Sequence, residues 1–345
     1  NYGVDYMNNT GNHFDPVPDT WKKMRDILLF WSSKGIDGFR CDMAEMVPCE
    51  FWGWVIPQIK QKHAKLTFIA EVYNPNEYRN YIHNGHFDYL YDKVGLYDTL
   101  RALTCGYASA TAITGCWQSV NDIQSHMLNF LENHDEQRIA SEFFAGDARK
   151  ALPALLVSAC MNTNPMMIYF GQELGEPGMD SEGFSGRDGR TTIFDYWSVD
   201  SIRRWSNHGR YNLHLLNDQE KELRHFYQTV LTLCNKEKAI SKGEFFDLMY
   251  VNSDGWMMNP HRQYVFMRKC DDELLLVITN FDSIPVNISV NIPQHAFDFW
   301  GMRQYPEIKS RDLLTGKSEK IAFCADKPVV TDVPAYGGKI LKIKL

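Results

Sequence analysis

The feature that most constrains the fold of this chain is an alternation of strand-like and helix-like segments that begins near residue 20. Short apolar runs of strand character are separated by segments whose apolar residues recur at helical spacing. The strand-like runs are G-F-R-C-D (38–42), T-F-I-A-E-V (67–72), F-D-Y-L-Y-D (87–92), M-L-N-F-L-E-N-H-D (127–135) and P-M-M-I-Y-F-G (165–171). Strands and helices that alternate in this way indicate parallel β-α units.

The helix-like segments carry recognisable end signals. Asp19 or Thr20 is predicted to cap the first helix, and Gly35 is predicted to end it. Further helices are predicted over 51–62, 147–162 and 219–235, the last of them amphipathic.

A different pattern starts after about Gly243, where short strands separated by turn residues replace the alternation. These strands are Y-V-F-M-R-K (264–269), E-L-L-L-V-I-T-N-F (273–281), V-N-I-S-V-N-I (286–292) and K-I-L-K-I-K-L (339–345). Such a series is typical of an all-β sandwich. We therefore predict two domains, an α/β domain over 1–242 and a C-terminal β-sandwich over 243–345.

Acidic residues stand at the ends of several predicted strands. Because side chains alternate along a strand, Arg40 and Asp42 share one face. An adjacent arginine keeps a carboxylate anionic and fixes its rotamer, as an anionic nucleophile requires. Glu71 ends the next strand, where a neighbouring carboxylate would favour its protonated form, and Asp135 ends a later one. An anion and an acid of this kind are the pair that retaining glycoside hydrolysis uses.

Three short segments carry a resemblance to a known family. G-F-R-C-D at 38–42, the glutamate in I-A-E-V at 69–72, and L-E-N-H-D at 131–135 are similar, in order and spacing, to the second, third and fourth signature segments of the alpha-amylase superfamily. The resemblance covers roughly residues 20–345. It implies a (β/α)8 TIM-type barrel followed by a β-sandwich tail, and action on α-glucosidic bonds with retention of configuration.

The resemblance also implies a role for each matched residue. Asp42 is the nucleophile, Glu71 is the general acid/base, and Asp135 grips sugar hydroxyl groups and distorts the reacting ring. Arg40 orients the nucleophile, and His134 hydrogen-bonds the same sugar. An α-linked malto-oligosaccharide is therefore the expected substrate.

Residues around these segments are further candidates for substrate binding. Asn133 precedes His134, although an Asn-His-Asp run by itself could equally form a polar turn. The aromatic residues that would stack on glucosyl rings, unless they belong to the core, are Tyr73, Tyr89, Tyr91, Phe194 and Trp197. Asp188 and Arg190 lie in a Gly-rich loop over 175–195 and either contact the sugar or form a loop salt bridge.

The chain departs from the family pattern at two places. The first signature segment, an Asp-Asn-His element that supplies a substrate-binding histidine and often a calcium ligand, is not found upstream of Arg40. Glu45 and Met46 stand where many members have a Lys-His pair. No metal site is assigned, because six oxygen ligands are not identified, but calcium remains a candidate cofactor. These departures favour a short malto-oligosaccharide over starch.

The strand count leads to a prediction about assembly. About five strands of barrel type precede the sandwich, whereas a closed barrel of this class has eight, so the N-terminal strands are missing. A partial barrel exposes the edge of strand G-F-R-C-D together with apolar surface. We therefore expect a fragment that self-associates or pairs with the missing N-terminal half.

Charge and hydropathy exclude other partners. The formal net charge is −7 and basic residues form no run, so neither nucleic acid nor an anionic membrane surface is expected to bind. No apolar run reaches the length of about 18 residues that spans a bilayer. The chain opens at Asn1 without a signal sequence, which leaves the cytoplasm and the periplasm as alternatives.

Two other functions fit the same residues. An α-glucan transglycosylase would use the same covalent intermediate and pass the glycosyl group to a sugar instead of water. A non-catalytic carbohydrate-binding fragment is the alternative from a different class. The acidic trio Asp42, Glu71 and Asp135 argues against it, whereas the missing strands argue for it.

Overall fold

The computed structural model describes residues 11–194 and 198–345. The chain divides into two compact units. The described part of unit 1 comprises 11–94 and 125–128, and unit 2 comprises 95–124 together with the described residues from 129 to 345.

Unit 1 consists of helices that alternate with parallel strands. Its elements are α1 (Asp19–Ser32), β1 (Gly38–Cys41), α2 (Cys49–Lys62), β2 (Thr67–Ala70), α3 (Tyr78–His83) and β3 (Tyr89–Tyr91). Strand β1 pairs in parallel with β2, and β2 pairs in parallel with β3. The first residues of β4 (Met127–Phe130) extend this sheet by pairing with β3. The predicted β-α alternation is confirmed for this part of the chain.

Helix α1 differs from its prediction at the N-terminus. Asp19 is the first helical residue, and Pro18 precedes it without a side-chain cap. The Asp19 carboxylate pairs instead with Lys23 one turn later, at 2.7 Å. The fixed φ of proline starts the helix in place of a polar cap, so the predicted cap at Asp19 or Thr20 is wrong. The helix ends at Ser32, and Gly35, three residues later, has a φ of +83°, a left-handed conformation that favours glycine.

The close approach of β1 to β2 depends on a glycine. A Cβ atom at Gly38 would lie 2.3 Å from the carbonyl oxygen of Thr67. Gly38 pairs with Thr67 and Cys41 pairs with Ala70. The next residues, Asp42 and Glu71, therefore leave adjacent parallel strands at the same level of the sheet.

Unit 2 contains the rest of the parallel strands, further helices and the antiparallel sheets. The second half of β4 pairs in parallel with β5 (Met166–Met167). The helices are α4 (Asp98–Thr104), α5 (Ala112–Ser119), α6 (Leu152–Cys160), α7 (Asp200–Ser206), α8 (Asp218–Lys236), α9 (Lys238–Ser241) and α10 (Gln294–Trp300). The remaining strands are β6 (Glu244–Asp247), β7 (Gln263–Cys270), β8 (Glu273–Asn280), β9 (Val286–Val290), β10 (Tyr305–Asp312), β11 (Ser318–Phe323), β12 (Val329–Val333) and β13 (Gly337–Lys344).

Helix α8 follows the predicted amphipathic segment closely. Asn217 and Glu220 form a capping box at its start, and Leu223, Tyr227 and Val230 lie on its buried face. Within the described ranges, no helix combines the length and apolar character needed to cross a bilayer.

The antiparallel part of unit 2 has a six-stranded sheet in the order β11-β10-β13-β8-β7-β6 and a separate pair, β12-β9. Helix α6 packs on this larger sheet, where Leu156 lies so close to Gly338 that an added Cβ would be 2.5 Å from its methyl group. Parallel strands followed by antiparallel sheets confirm the predicted fold class. The domain boundary at 243 remains a prediction.

Candidate active site

Arg40 lies at the centre of a group of polar side chains at the ends of β1, β2 and β3, here named the β1–β2 cluster (Arg40, Asp42, Glu71, Tyr73 and Tyr91). Its Nη1 donates a hydrogen bond to Asp42, and its Nη2 lies 2.9 Å from Glu71 Oε2. Its Nε donates to the Tyr91 hydroxyl at 3.4 Å. Partial burial lowers the pKa of Arg40, but the bonds to Tyr91 and Asp42 outweigh burial and raise it, so the guanidinium stays charged.

Glu71 is held by donors on both carboxylate oxygens. The Met43 backbone N–H donates to Oε2 at 2.8 Å, and the Tyr73 hydroxyl donates to Oε1 at 2.7 Å. The Glu71 side chain is only 6% exposed, whereas that of Asp42 is 72% exposed. One carboxyl group is therefore enclosed and oriented, and the other is open to an incoming ligand.

The two carboxyl groups are close together because they contact the same guanidinium. A guanidinium is a small planar fork, and each of its terminal nitrogens contacts one of the acids. The sequence prediction that Arg40, Asp42 and Glu71 lie together is matched by these contacts. Such a pair suits the carboxyl separation of about 5 Å that retaining glycosidases use.

Unit 2 contains a second group of predicted residues, named here the β4 cluster (Asn133, His134, Asp135, Asp188 and Arg190). Asn133 Oδ1 accepts the backbone N–H groups of Asp135 and Glu136, both at 2.9 Å. His134 Nε2 lies 3.1 Å from Asp135 Oδ2. The buried Asn133 therefore shapes the turn that presents the Asp135 carboxyl group.

Asp188 and Arg190 form the salt bridge that was one of their two predicted alternatives. Arg190 Nη1 lies 3.2 Å from Asp188 Oδ2, and Arg190 Nε donates to the backbone carbonyl of Asp135 at 2.6 Å. The loop that carries both residues is thus anchored to the segment after β4. A contact between either side chain and a sugar remains a prediction.

Sequence reasoning missed a buried ion pair behind this turn. Arg138 Nη1 lies 2.8 Å from Glu132 Oε2, and the Ile139 N–H donates to the other Glu132 oxygen at 2.7 Å. The Arg138 side chain is fully buried and stacks over the Tyr169 ring at 4.2 Å. Burial raises the pKa of Glu132, while Arg138 and the Ile139 amide oppose that rise. The acid-to-arginine spacing in E-N-H-D-E-Q-R was the available signal.

Two aromatic rings border the β4 cluster. The exposed Phe194 ring lies 6.3 Å from His134 and 5.5 Å from Phe184. Exposed rings of this kind can stack on sugars. Trp197, another predicted stacking residue, lies outside the described residues.

Two of the other predicted stacking residues belong to the β1–β2 cluster. Tyr91 contacts Arg40, and Tyr73 contacts Glu71.

Acidic, histidine and cysteine side chains are the groups that could hold a metal ion. In 11–194 and 198–345, no three of these side chains are grouped so that they could hold an ion. The calcium prediction therefore has no supporting ligand set in these ranges, and no chemical step is assigned to a metal.

Comparison with known proteins gives a match to one family. A family model described as the alpha-amylase catalytic domain matches residues 16–243. This range contains both the β1–β2 cluster and the β4 cluster.

Individual proteins give similar results. An alpha-1,4-glucan:maltose-1-phosphate maltosyltransferase of Cereibacter sphaeroides is 37% identical over 57 residues, which are 16% of this chain and 10% of that protein. A cyclomaltodextrinase of a Bacillus species is 23% identical over 274 residues, 77% of this chain and 42% of that protein. The chain thus spans less than half the length of these two curated relatives.

A solved structure shows the similarity of fold. The alpha-amylase of Geobacillus thermoleovorans complexed with acarbose aligns with a TM-score of 0.69 and 16% identity, covering 100% of this chain and 71% of that one.

Proposed function

Because the chain belongs to the family of alpha-amylase catalytic domains, we propose that it carries the reacting carboxyl pair of a retaining enzyme for α-glucosidic bonds. The observation that supports this most directly is the bridging of Asp42 and Glu71 by Arg40. The proposed substrates are malto-oligosaccharides or related α-glucans, a class to which the names of the similar proteins also point.

We assign the two acids to different steps. A carboxylate oxygen of Asp42 bonds to the anomeric carbon, the bond from that carbon to the glycosidic oxygen breaks, and Glu71 donates its proton to that oxygen. Glu71 then takes a proton from water, whose oxygen displaces Asp42. The exposure of Asp42 and its contact with a permanent cation suit a nucleophile. For Glu71 to hold a proton, its contact with Arg40 has to be released, and the Tyr73 hydroxyl can rotate to accept a bond.

The β4 cluster is proposed to bind sugar hydroxyl groups. Asp135 offers a partly exposed carboxylate, and His134 beside it offers a ring nitrogen. Phe194 supplies an exposed ring, and the Arg190 bond to the Asp135 carbonyl keeps the turn in place. These contacts suit recognition of a hydroxylated ligand with a flat apolar face.

A transglycosylase is the second candidate, favoured by the similarity to the maltosyltransferase. In that reaction a sugar hydroxyl replaces water as the acceptor of the glycosyl group. Product analysis after incubation with maltotriose separates the two, because transfer yields chains longer than three glucose units and hydrolysis does not.

The test of the proposed reaction is the Glu71→Gln variant of the full-length protein. We expect kcat on maltotriose to fall by roughly 10²- to 10⁴-fold, since proton transfer is lost. Glu50→Gln, which changes an exposed glutamate of α2 outside the cluster, serves as the matched control. Equal cleavage of maltotriose by Glu71→Gln and Glu50→Gln would exclude Glu71 as the acid. Absence of cleavage in both variants and in the unchanged protein would indicate a binding protein.

Self-association, or pairing with further barrel strands, is also proposed. It is supported by exposed apolar side chains on α1, namely Ile27, Phe30 and Trp31. Light scattering behind a sizing column is expected to show more than one chain of this length per particle. A monomer with full glycosidase activity would contradict it.

A further inference from the structure

We propose that Glu45 is a positioning residue that orients the acid/base Glu71 by holding the backbone of Tyr73. The inference rests on the proposed function, because it takes Glu71 as the proton donor. The Glu45 carboxylate would act on Glu71 through Tyr73 and not through a direct contact.

The turn that carries Glu45 is fixed by its own backbone contacts. Residues 44–46 form a single 3₁₀ turn directly after β1. The Trp52 indole N–H donates to the Ala44 carbonyl at 3.1 Å, and the buried Tyr81 hydroxyl lies 3.1 Å from the Glu45 carbonyl and 2.9 Å from that of Val47. The base of the Glu45 side chain is therefore held by groups that do not involve its carboxylate.

The Glu45 carboxylate reaches the segment that follows β2. Its Oε2 accepts the Tyr73 N–H at 3.2 Å and the Asn74 N–H at 3.0 Å. Residues 71–74 adopt no helix or strand. The Glu71 N–H donates to the Cys41 carbonyl at 3.1 Å, and the Glu45 carboxylate holds the amides of the next residues along. Hydrogen bonds from backbone amides to a carboxylate are charge-assisted and hence stronger than neutral ones.

The same two segments are also joined in the opposite direction. Glu71, from the segment after β2, accepts the Met43 N–H from the segment after β1 at 2.8 Å. Met43 has a φ of +42°, a left-handed conformation that residues with side chains seldom adopt. Each segment thus gives a carboxylate to the backbone amides of the other, and Asp42 and Glu71 lie within this reciprocal arrangement.

Tyr73 connects Glu45 to the reacting group. Its backbone is held by Glu45, and its hydroxyl donates to Glu71 Oε1 at 2.7 Å. Without the Glu45 acceptor, the Tyr73 backbone loses one of the contacts that hold it, and the position of its hydroxyl is less well defined. Alanine or lysine at position 45 provides no acceptor, whereas glutamine keeps one oxygen at the same distance from the backbone.

The experiment compares two substrates that differ in their need for an acid. Maltotriose has a sugar leaving group that must be protonated, whereas α-maltosyl fluoride releases fluoride without a proton from Glu71. In Glu45→Ala we expect kcat/KM for maltotriose to fall about 10- to 100-fold, a loss typical of a misplaced catalytic group, and that for the fluoride to change less than about threefold. Glu45→Gln is expected to restore most of the maltotriose activity. Glu50→Ala is the matched control on α2.

Other outcomes separate the two proposals. An equal loss on both substrates in Glu45→Ala, or no loss on either, would overturn the role of Glu45. If Glu71→Gln leaves maltotriose cleavage intact, the proposed function itself fails. Tyr73→Phe, which removes one hydroxyl group, carries the test should Glu45→Ala not fold, and an unchanged substrate ratio in that variant would equally overturn the inference.

Discussion

The β1–β2 cluster and the β4 cluster use polar groups in different ways. In the first, the side chains of Arg40 and Tyr73 and the backbone N–H of Met43 contact the carboxylate oxygens of Asp42 and Glu71. In the second, side chains such as Asn133 and Arg190 hold backbone groups, and the ion pair Glu132–Arg138 is buried behind the turn. The first arrangement orients two carboxyl groups, and the second determines the shape of a loop.

This difference predicts that substitutions in the two clusters have separable effects. Removal of the Asp42 carboxylate should affect rate more than stability, because this side chain is largely exposed. Removal of Arg138 should affect stability more than rate, because it leaves a buried carboxylate without its partner.

The largest effect is expected for Asp42→Asn. An amide is too weak a nucleophile to form the glycosyl-enzyme bond, so kcat on maltotriose should fall by roughly 10³- to 10⁵-fold. The free energy of unfolding should change by less than about 1 kcal/mol, because the group lies near the surface. Kinetics and urea denaturation of the same preparation measure both quantities. A large loss of stability with intact activity would break the contrast between the clusters.

The second largest effect is expected for Arg138→Met, which keeps most of the length of the side chain but removes its charge. It should lower the free energy of unfolding by about 3–5 kcal/mol at neutral pH, since Glu132 is left buried and unpaired. Arg149→Met removes an exposed arginine of the same unit and is the matched control.

The decrease in the free energy of unfolding caused by Arg138→Met should also depend on pH. Burial raises the pKa of Glu132, and without Arg138 nothing but the Ile139 amide opposes that rise. The folded state then binds a proton that the unfolded state has released, so stability falls as pH rises from the ordinary glutamate pKa through the raised one. The variant should therefore be closest to wild type in acid. A penalty that is independent of pH would show that lost packing over Tyr169 dominates.

The smallest effect is expected for Arg190→Ala. Loss of the bond to the Asp135 carbonyl should reduce kcat/KM about 5- to 10-fold, which corresponds to the net value of a single hydrogen bond, with a stability change of about 1 kcal/mol. Arg187→Ala, in the same loop but paired only at the surface, is the control. A loss as large as that of Asp42→Asn would place Arg190 in contact with the reacting sugar.

What the sequence predicts well is local. The runs that became β1, β2, β7 and β8 have strong apolar patterns, and their register brings Arg40, Asp42 and Glu71 together. Strand β10 was missed because half of the residues in its sequence, Y-P-E-I-K-S-R-D, are charged and half are exposed. The Arg138 environment was missed because it includes Thr191, more than fifty positions away. The cap of α1 was misjudged because Pro18, with its fixed φ, starts the helix without a polar side chain.

The close approach of β1 and β2 requires glycine at position 38, and this requirement does not depend on any contact with a ligand. Because the Thr67 carbonyl oxygen occupies the space of a methyl group at position 38, any replacement has to widen the gap between two neighbouring strands. Asp42 lies four residues after Gly38, and Glu71 lies four residues after Thr67. Under the proposed function, selection for the spacing of the carboxyl groups would therefore act on position 38, and enzyme engineers who want a different spacing could begin there.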